Sequence, residues 1–188
     1  MAEVFSAKIE HTEETIQLLY QTEYHTYDKM KMLTRVAIGA VMVILGLTVE
    51  MSMVLRGLLM AFGCWFLISQ DFPAVSKADR AVQARNGVLP VMEYEFHEKN
   101  VLLSGEGSMT IRYDKFQRLV KSDKYLYLFL GKGSVCMIDK ETVEPWLVDD
   151  FMAFMEDKTG KQWMRDKPLL AWNIKDVVGA AKDRRISG

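Results

Sequence analysis

Leu33-Thr-Arg-Val-Ala-Ile-Gly-Ala-Val-Met-Val-Ile-Leu-Gly-Leu-Thr-Val49, then Glu50, then Met51-Ser-Met-Val-Leu-Arg-Gly-Leu-Leu-Met-Ala-Phe-Gly-Cys-Trp-Phe-Leu-Ile-Ser69, is the stretch whose reading decides the fold. A helix crossing the hydrocarbon core of a bilayer needs roughly 20 mostly apolar residues, each rising about 1.5 Å. This run is too long for one crossing and suits two short ones. Its charges, Arg35, Glu50 and Arg56, fall near the ends and the middle. The pattern predicts a transmembrane helical hairpin over residues 33–69. The first span runs from near Met30 to Val49 and the second from Ser52 to Ser69, stopped by Pro73. Helices suit this setting because lipid offers no partner for an unpaired backbone group. Arg56, one turn into the second span, can snorkel to the interface.

Small residues suggest where the two helices meet. A turn centred between Met51 and Ser52 sets Gly46 opposite Gly57, Met42 opposite Ala61 and Gly39 opposite Cys64. Small residues at helical spacing let membrane helices approach closely. The expected seam is therefore Gly39, Met42 and Gly46 against Gly57, Ala61 and Cys64. Lys29, Lys31 and Arg35 precede the hairpin, Lys77, Arg80 and Arg85 come after it, and the turn offers only Arg56. Positive residues stay on the cytoplasmic side, so both termini are expected in the cytoplasm. The competing reading is a buried hairpin of a soluble protein, but the run exceeds what a core helix needs. The run also starts too far along the chain for a signal peptide.

Around the hairpin the chain of 188 residues is mixed and nearly neutral, at −1. Such a balance argues against a nucleic-acid partner. The two cysteines, Cys64 and Cys136, make no disulfide framework or zinc spacing. Residues 1–32 read as a strand and a helix leading into the membrane. Phe5, Ala7 and Ile9 alternate with Ser6, Lys8 and Glu10, and Thr12 caps the helix after them. Residues 73–86 read as a juxtamembrane helix ended by Asn86-Gly87.

Residues 91–159 change to a strand pattern. Met92–His97, Val101–Ser104, Met109–Arg112, Phe116–Lys121, Tyr125–Leu130 and Val135–Ile138 are short strands separated by Gly-containing or polar turns. That spacing describes an antiparallel meander. A helix then opens at Glu141 or Thr142 with Pro145 in its first turn, buries Leu147, Phe151, Phe154 and Met155, and ends at Gly160. Residues 160–188 form a tail in which Asn173 and Asp176 start a last short helix. Six strands and one capping helix, with the N-terminal strand as a seventh, suggest a pleckstrin-homology-like (PH-like) half-barrel. The fold class expected is thus an α+β membrane protein: a two-helix hairpin plus a cytoplasmic PH-like antiparallel half-barrel.

Several of these stretches together resemble the YcxB-like family of small bacterial membrane proteins. They are Phe5-Ser-Ala-Lys-Ile9, the two close spans, Tyr94-Glu-Phe96, Ile111-Arg-Tyr-Asp-Lys-Phe-Gln-Arg-Leu-Val120, Tyr125-Leu-Tyr-Leu-Phe129 and Val135-Cys-Met-Ile-Asp-Lys140. The resemblance covers most of residues 1–159. It implies a multi-pass protein of the bacterial cell membrane and carries no reaction onto any residue.

Motifs for chemistry are sparse. His11, His25 and His97 lack metal-ligand spacing, and the Gly105-Glu-Gly and Gly131-Lys-Gly turns lack the helix of a phosphate loop. Glu93 with Glu95, and Asp149 with Asp150, read as solvated carboxylates. No catalytic, cofactor or metal residue is expected. The leading expectation is a membrane-anchored, non-catalytic interaction or regulatory module. Its partners would be the lipid bilayer and another protein, with a second copy of the chain as a further candidate. Arg112, Lys115, Arg118, Lys121 and Lys124 would bias a partner surface toward acidic ligands, and an open sheet edge would accept a strand. Alternatives are an immunity or stress-protection protein against membrane-active peptides, and an enzyme with an unrecognised site.

Overall fold

The computed structural model describes residues 3–105, 107–145 and 147–166. In chain order the elements are β1 (Glu3–Glu10), α1 (Glu13–Tyr27), α2 (Lys29–Thr48), α3 (Met53–Ile68), α4 (Phe72–Ala84), β2 (Val91–His97), β3 (Asn100–Ser104), β4 (Ser108–Arg112), β5 (Arg118–Lys121), β6 (Tyr125–Gly131), β7 (Ser134–Asp139), α5 (Val148–Thr159) and β8 (Trp163–Arg165). The described chain forms two compact units. The β unit holds residues 3–23 and 78–166, and the helical unit holds residues 24–77. The short helix expected from Asn173 lies outside the described residues.

The β unit contains two four-stranded sheets, ordered β1-β2-β3-β4 and β7-β6-β5-β8. Alternation in the first strand works as its sequence requires: Ala7 and Ile9 are buried, while Lys8 and Glu10 face solvent. β1 pairs antiparallel with β2, setting Phe5 beside Phe96 and Ala7 beside Tyr94. The six expected strands do not form one meander. Residues 113–115 make a 3-10 turn, the Tyr113 hydroxyl donates to the His97 carbonyl (2.7 Å), and Phe116 is buried. The chain therefore turns a corner after β4, and three strands go to each sheet.

Backbone groups of β1 also bond to the segment that follows β7. Ser6 and Glu144 exchange N–H···O bonds of 2.9 Å each. The Thr142 hydroxyl accepts from the Lys8 amide (3.0 Å) and lies 2.6 Å from the Lys8 carbonyl oxygen. These contacts correct the expected start of the capping helix. Thr142 and Glu144 are engaged with β1, so neither is available to begin a helix. Lys140–Thr142 is a 3-10 turn, the Glu144–Pro145 peptide is cis, and α5 begins only at Val148. Leu147, expected on the buried face, stays 61 % exposed.

Asp149 and Asp150 occupy the first turn of α5, where the helix dipole favours anions. Gly160 ends the helix in the left-handed region at φ 65°, which costs glycine little. The inward face of α5 closes the β unit. The Phe151 ring lies 4.7 Å from Phe96 and 5.5 Å from Phe5, and Phe154 lies 5.2 Å from Phe5 and 5.7 Å from Tyr113. On β6, Tyr125 through Phe129 are all buried, so both faces of that strand are covered.

After Gly160 the chain returns to the sheet. β8 pairs parallel to β5, with Leu119 beside Trp163 and Lys121 beside Arg165. The Trp163 indole N–H donates to the Met152 carbonyl (2.9 Å), and Asp166 accepts from the Thr22 hydroxyl (2.9 Å). Three residues of parallel strand carry too little periodicity to be seen in a sequence. The tail expected from residue 160 is thus part of the sheet as far as Asp166.

Because Phe151 is wholly buried against β1 and β2, Phe151→Ala should destabilise the β unit by about 3–5 kcal/mol. Urea unfolding monitored by tryptophan fluorescence would measure it. Leu147→Ala, at an exposed position, should change the midpoint little.

Candidate functional site

Two features stand out: the apolar helical pair and a cleft in the β unit. α2 holds 20 residues and is long and apolar enough to cross a membrane; it is little buried. α3 holds 16 residues and reaches that length only when joined to α4 across a bend at residues 69–71. The turn at 49–52 ends with Ser52 capping α3, its hydroxyl accepting from the Leu55 amide at 3.4 Å.

The two helices meet along a narrow line. A Cβ placed on Gly39 would stand 2.9 Å from the Gly63 carbonyl oxygen, and one on Gly63 would stand 2.8 Å from Val43 Cγ2. One on Gly46 would stand 2.9 Å from Met60 Cγ. Gly39 and Gly46 therefore face α3, with Val43 between them, while Met42 sits half-buried beside the line. On α3 the expected residues are displaced. Gly57 has open space around it, and Ala61 and Cys64 are exposed; Met60, Gly63 and Leu67 take the contacts. The difference is one residue, or about 100° of helix rotation. Counting outward from the turn gives the height of each contact but not the direction in which α3 faces.

At the other end of the pair, the Arg35 guanidinium lies 5.3 Å from the centroid of the Phe66 ring, and its Nη2 is 3.4 Å from the Ser69 carbonyl oxygen. His25 Nε2 is 2.9 Å from Asp71 Oδ1, and Lys31 pairs with Asp28 at 2.9 Å. Polar side chains thus collect where the apolar run begins and ends.

The cleft has a volume of about 210 Å³. Its lining includes Leu19 and Tyr20 from α1, Tyr94 and Leu103 from β2 and β3, and two basic side chains, His11 and Arg85. Local structure positions the basic pair. Thr12 Oγ1 accepts from the Thr15 amide (3.2 Å), which starts α1, and His11 Nδ1 lies 3.4 Å from Thr15 Oγ1. After α4, Asn86 (φ 52°) and Gly87 (φ 74°) turn the chain so that the Pro90 carbonyl accepts from the His11 amide (3.3 Å). Burial, and then the Arg85 guanidinium, hold the His11 imidazole below its usual pKa. Burial and the nearby Arg85 guanidinium thus disfavour a charge on His11. Sequence reasoning missed this site because its members come from separate elements that only the sheet register gathers.

The five cations expected to form a partner surface are spread over several elements. Arg112 pairs with Asp114 (3.2 Å) at the end of β4, Lys115 is exposed in the 3-10 turn, and Lys124 lies 5.4 Å from the Tyr125 ring centroid. Arg118 and Lys121 bound β5, where the Lys121 carbonyl accepts from the Asp166 amide (2.9 Å). The β5 edge is thus occupied by β8, while among the described residues β4 has a neighbour on one side only. Cys136 is buried, which pushes its thiol up to about 12 and leaves it a poor nucleophile. Among the described residues no three His, Cys, Asp or Glu side chains converge to hold a metal ion.

This geometry defines an α+β chain with an apolar helical pair inserted between the first and second strands of a two-sheet unit. Residues 94–155, from β2 into α5, match the family model described as YcxB-like protein. The match leaves β1 and the helical pair outside it. No curated protein and no solved structure matches the chain.

The seam predicts a sharp asymmetry between neighbouring glycines. Gly63→Leu should force α2 and α3 apart and lower the detergent-solubilised melting temperature, at a cost of about 1–3 kcal/mol. Gly57→Leu, which meets nothing within 4 Å, should leave it unchanged.

Proposed function

We propose that this chain is a membrane-anchored, non-catalytic interaction module. In this reading a two-span hairpin of α2 and α3 holds a PH-like β unit at the cytoplasmic face. One observation carries it: the large apolar side chains of both helices point away from their seam. Val41, Ile44, Leu47, Leu55, Leu58, Phe62 and Trp65 are all exposed, an array too large for water to solvate cheaply and suited to lipid.

Parity supports two spans over one. β1 precedes the helical pair and β2 comes after it, yet the two strands pair along seven registered positions from Glu3 to Glu10. Both must lie on the same side of any membrane, so the chain between them crosses an even number of times. At 16 residues α3 is about 24 Å long, shorter than a hydrocarbon core of about 30 Å. A bilayer absorbs such a mismatch by local thinning. The basic residues flanking the pair favour a cytoplasmic β unit.

Topology is testable with single cysteines in a Cys64→Ser, Cys136→Ser background. Glu50→Cys should react with a membrane-impermeant maleimide in intact bacterial cells, whereas Glu14→Cys and Lys99→Cys should react only after lysis. Labelling of all three before lysis overturns the hairpin, and labelling of the last two alone overturns its orientation.

The interaction role falls to the β4 edge, which no strand covers among the described residues and where a strand from a partner can add by main-chain hydrogen bonds. Met109 is 56 % exposed there. A photo-crosslinker at Met109 should give discrete protein adducts in cells. One at Met164 of β8 serves as control, and equal patterns from both would exclude the β4 edge.

A further inference from the structure

Arg35 stands where the apolar run of α2 begins, and no charged residue separates it from Glu50. It lies about 9 Å along the helix axis from Lys29. Its side chain is half-buried. The guanidinium sits over the Phe66 ring, and Nη2 lies 3.4 Å from the Ser69 carbonyl oxygen and 3.5 Å from the Ser69 hydroxyl. N–H···O bonds cluster near about 2.9–3.0 Å, so both contacts are long. Neither acceptor carries a charge. Arg35 Nε is enclosed and has no acceptor.

The helical unit does not neutralise this cation. Among the described residues no carboxylate forms an ion pair with it. Asp28 is engaged by Lys31 and Asp71 by His25, each at 2.9 Å. The Tyr24 hydroxyl is enclosed without a partner, and burial raises its pKa, so it stays a neutral phenol. Guanidinium cannot give up its proton, and a charge at the edge of hydrocarbon is costly without a counter-ion. The countercharge must come from outside the unit, at the part of the side chain that reaches the surface.

We propose that Arg35 binds the phosphodiester of a membrane phospholipid whose acyl chains run along α3 beside Phe62 and Trp65. The inference rests on the membrane reading of α2 and α3. In that reading the Lys29–Arg35 end of α2 meets the headgroup layer, where phosphate is the anion at hand. Phe62 and Trp65 stand one helical turn before Phe66 and Ser69, and both are exposed. They offer an apolar surface to chains descending from a phosphate at Arg35, and Trp suits this boundary. Ser69 already engages Nη2, so the phosphate gains one charge-assisted contact rather than a two-pronged clasp. A soluble anion would make the same polar contact and forgo the apolar one.

The test uses the full chain purified in a non-ionic detergent and titrated with dioleoyl phosphatidylglycerol, whose headgroup adds no second charge to the phosphodiester. Native mass spectrometry reads the bound lipid. Binding of the first lipid should saturate, and Arg35→Gln should raise its midpoint by at least about tenfold. Arg35→Lys, a point charge without the planar donors, should be intermediate. Lys77→Gln, at an exposed position of α4 and with the same change in net charge, should leave the midpoint unchanged. So should Ser69→Ala, which weakens the internal contact and keeps the guanidinium. Dioleoylglycerol, with the same chains and no phosphate, should not compete, and inorganic phosphate should not displace the lipid. The melting temperature in the same detergent reports folding. The proposal fails if folded Arg35→Gln binds like the parent, if Lys77→Gln weakens binding as much, or if dioleoylglycerol competes equally. It fails also if inorganic phosphate displaces the lipid, since the occupant would then be a soluble anion. Should Arg35→Gln not fold, Arg35→Lys decides, and binding equal to the parent's overturns the site. A chain left in the supernatant of lysed cells without detergent defeats the membrane reading and this site with it. A chain that sediments with membranes while Arg35→Gln binds normally defeats the site alone.

Discussion

Ser6 and Glu144 bond to one another through both their backbone groups, and β1 beside them runs along β2 with Phe5 against Phe96. The rest of the molecule depends on this doubly committed strand. It supplies an edge to the first sheet, a bridge toward the second, and an aromatic side chain beneath α5. Buried backbone groups must find partners, so losing β1 would leave a row of unpaired groups on β2 and on Glu144. The same strand fixes the topology. Because β1 lies before the helical pair and bonds to β2 beyond it, the pair has to leave the β unit and come back to it.

Much of this architecture is written in local patterns. The apolar run marks α2 and α3 to within a few residues, alternation marks β1 and β2, and the spacing of polar and Gly-containing turns marks β3 through β7. Those signals are strong because each reports one face of one element. The failures share a different cause. The α3 face of the seam depends on how the 49–52 turn rotates a helix, and Met60 and Gly63 replace Ala61 and Cys64 by a single step. The delayed start of α5 depends on Thr142 and Glu144 bonding to a strand far back in the chain. The three residues of β8 are defined by β5, not by their own pattern. The cleft was invisible because Tyr20, Arg85 and Leu103 approach one another only when α1, the end of α4 and the first sheet are assembled. Sequence periodicity records what a residue does within its element; these positions are decided between elements.

Sheet edges bear on the proposed interaction role. β8 caps β5 with the chain's own backbone, which removes the strand edge that the basic residues Arg118 and Lys121 flank. Among the described residues β4 is itself an outermost strand, short and with its residues mostly exposed. A short edge strand limits unwanted self-pairing, a common safeguard in β proteins. The β4 edge and the cleft both use residues of the β unit alone.

The long separation between β1 and β2 also has a consequence for biosynthesis. As the polypeptide leaves the ribosome, β1 emerges first and finds no strand to join. In the proposed topology the greasy helices come next and leave the ribosome ahead of Val91, reaching the insertion machinery before β2 can pair. Sheet formation then comes after insertion, with the first strand held waiting at the cytoplasmic surface until its neighbour arrives. Non-local pairings of this kind form slowly because the intervening chain must be closed into a loop. Here the membrane would shorten that search: once the helical pair has turned back, it delivers the two strands to the same surface.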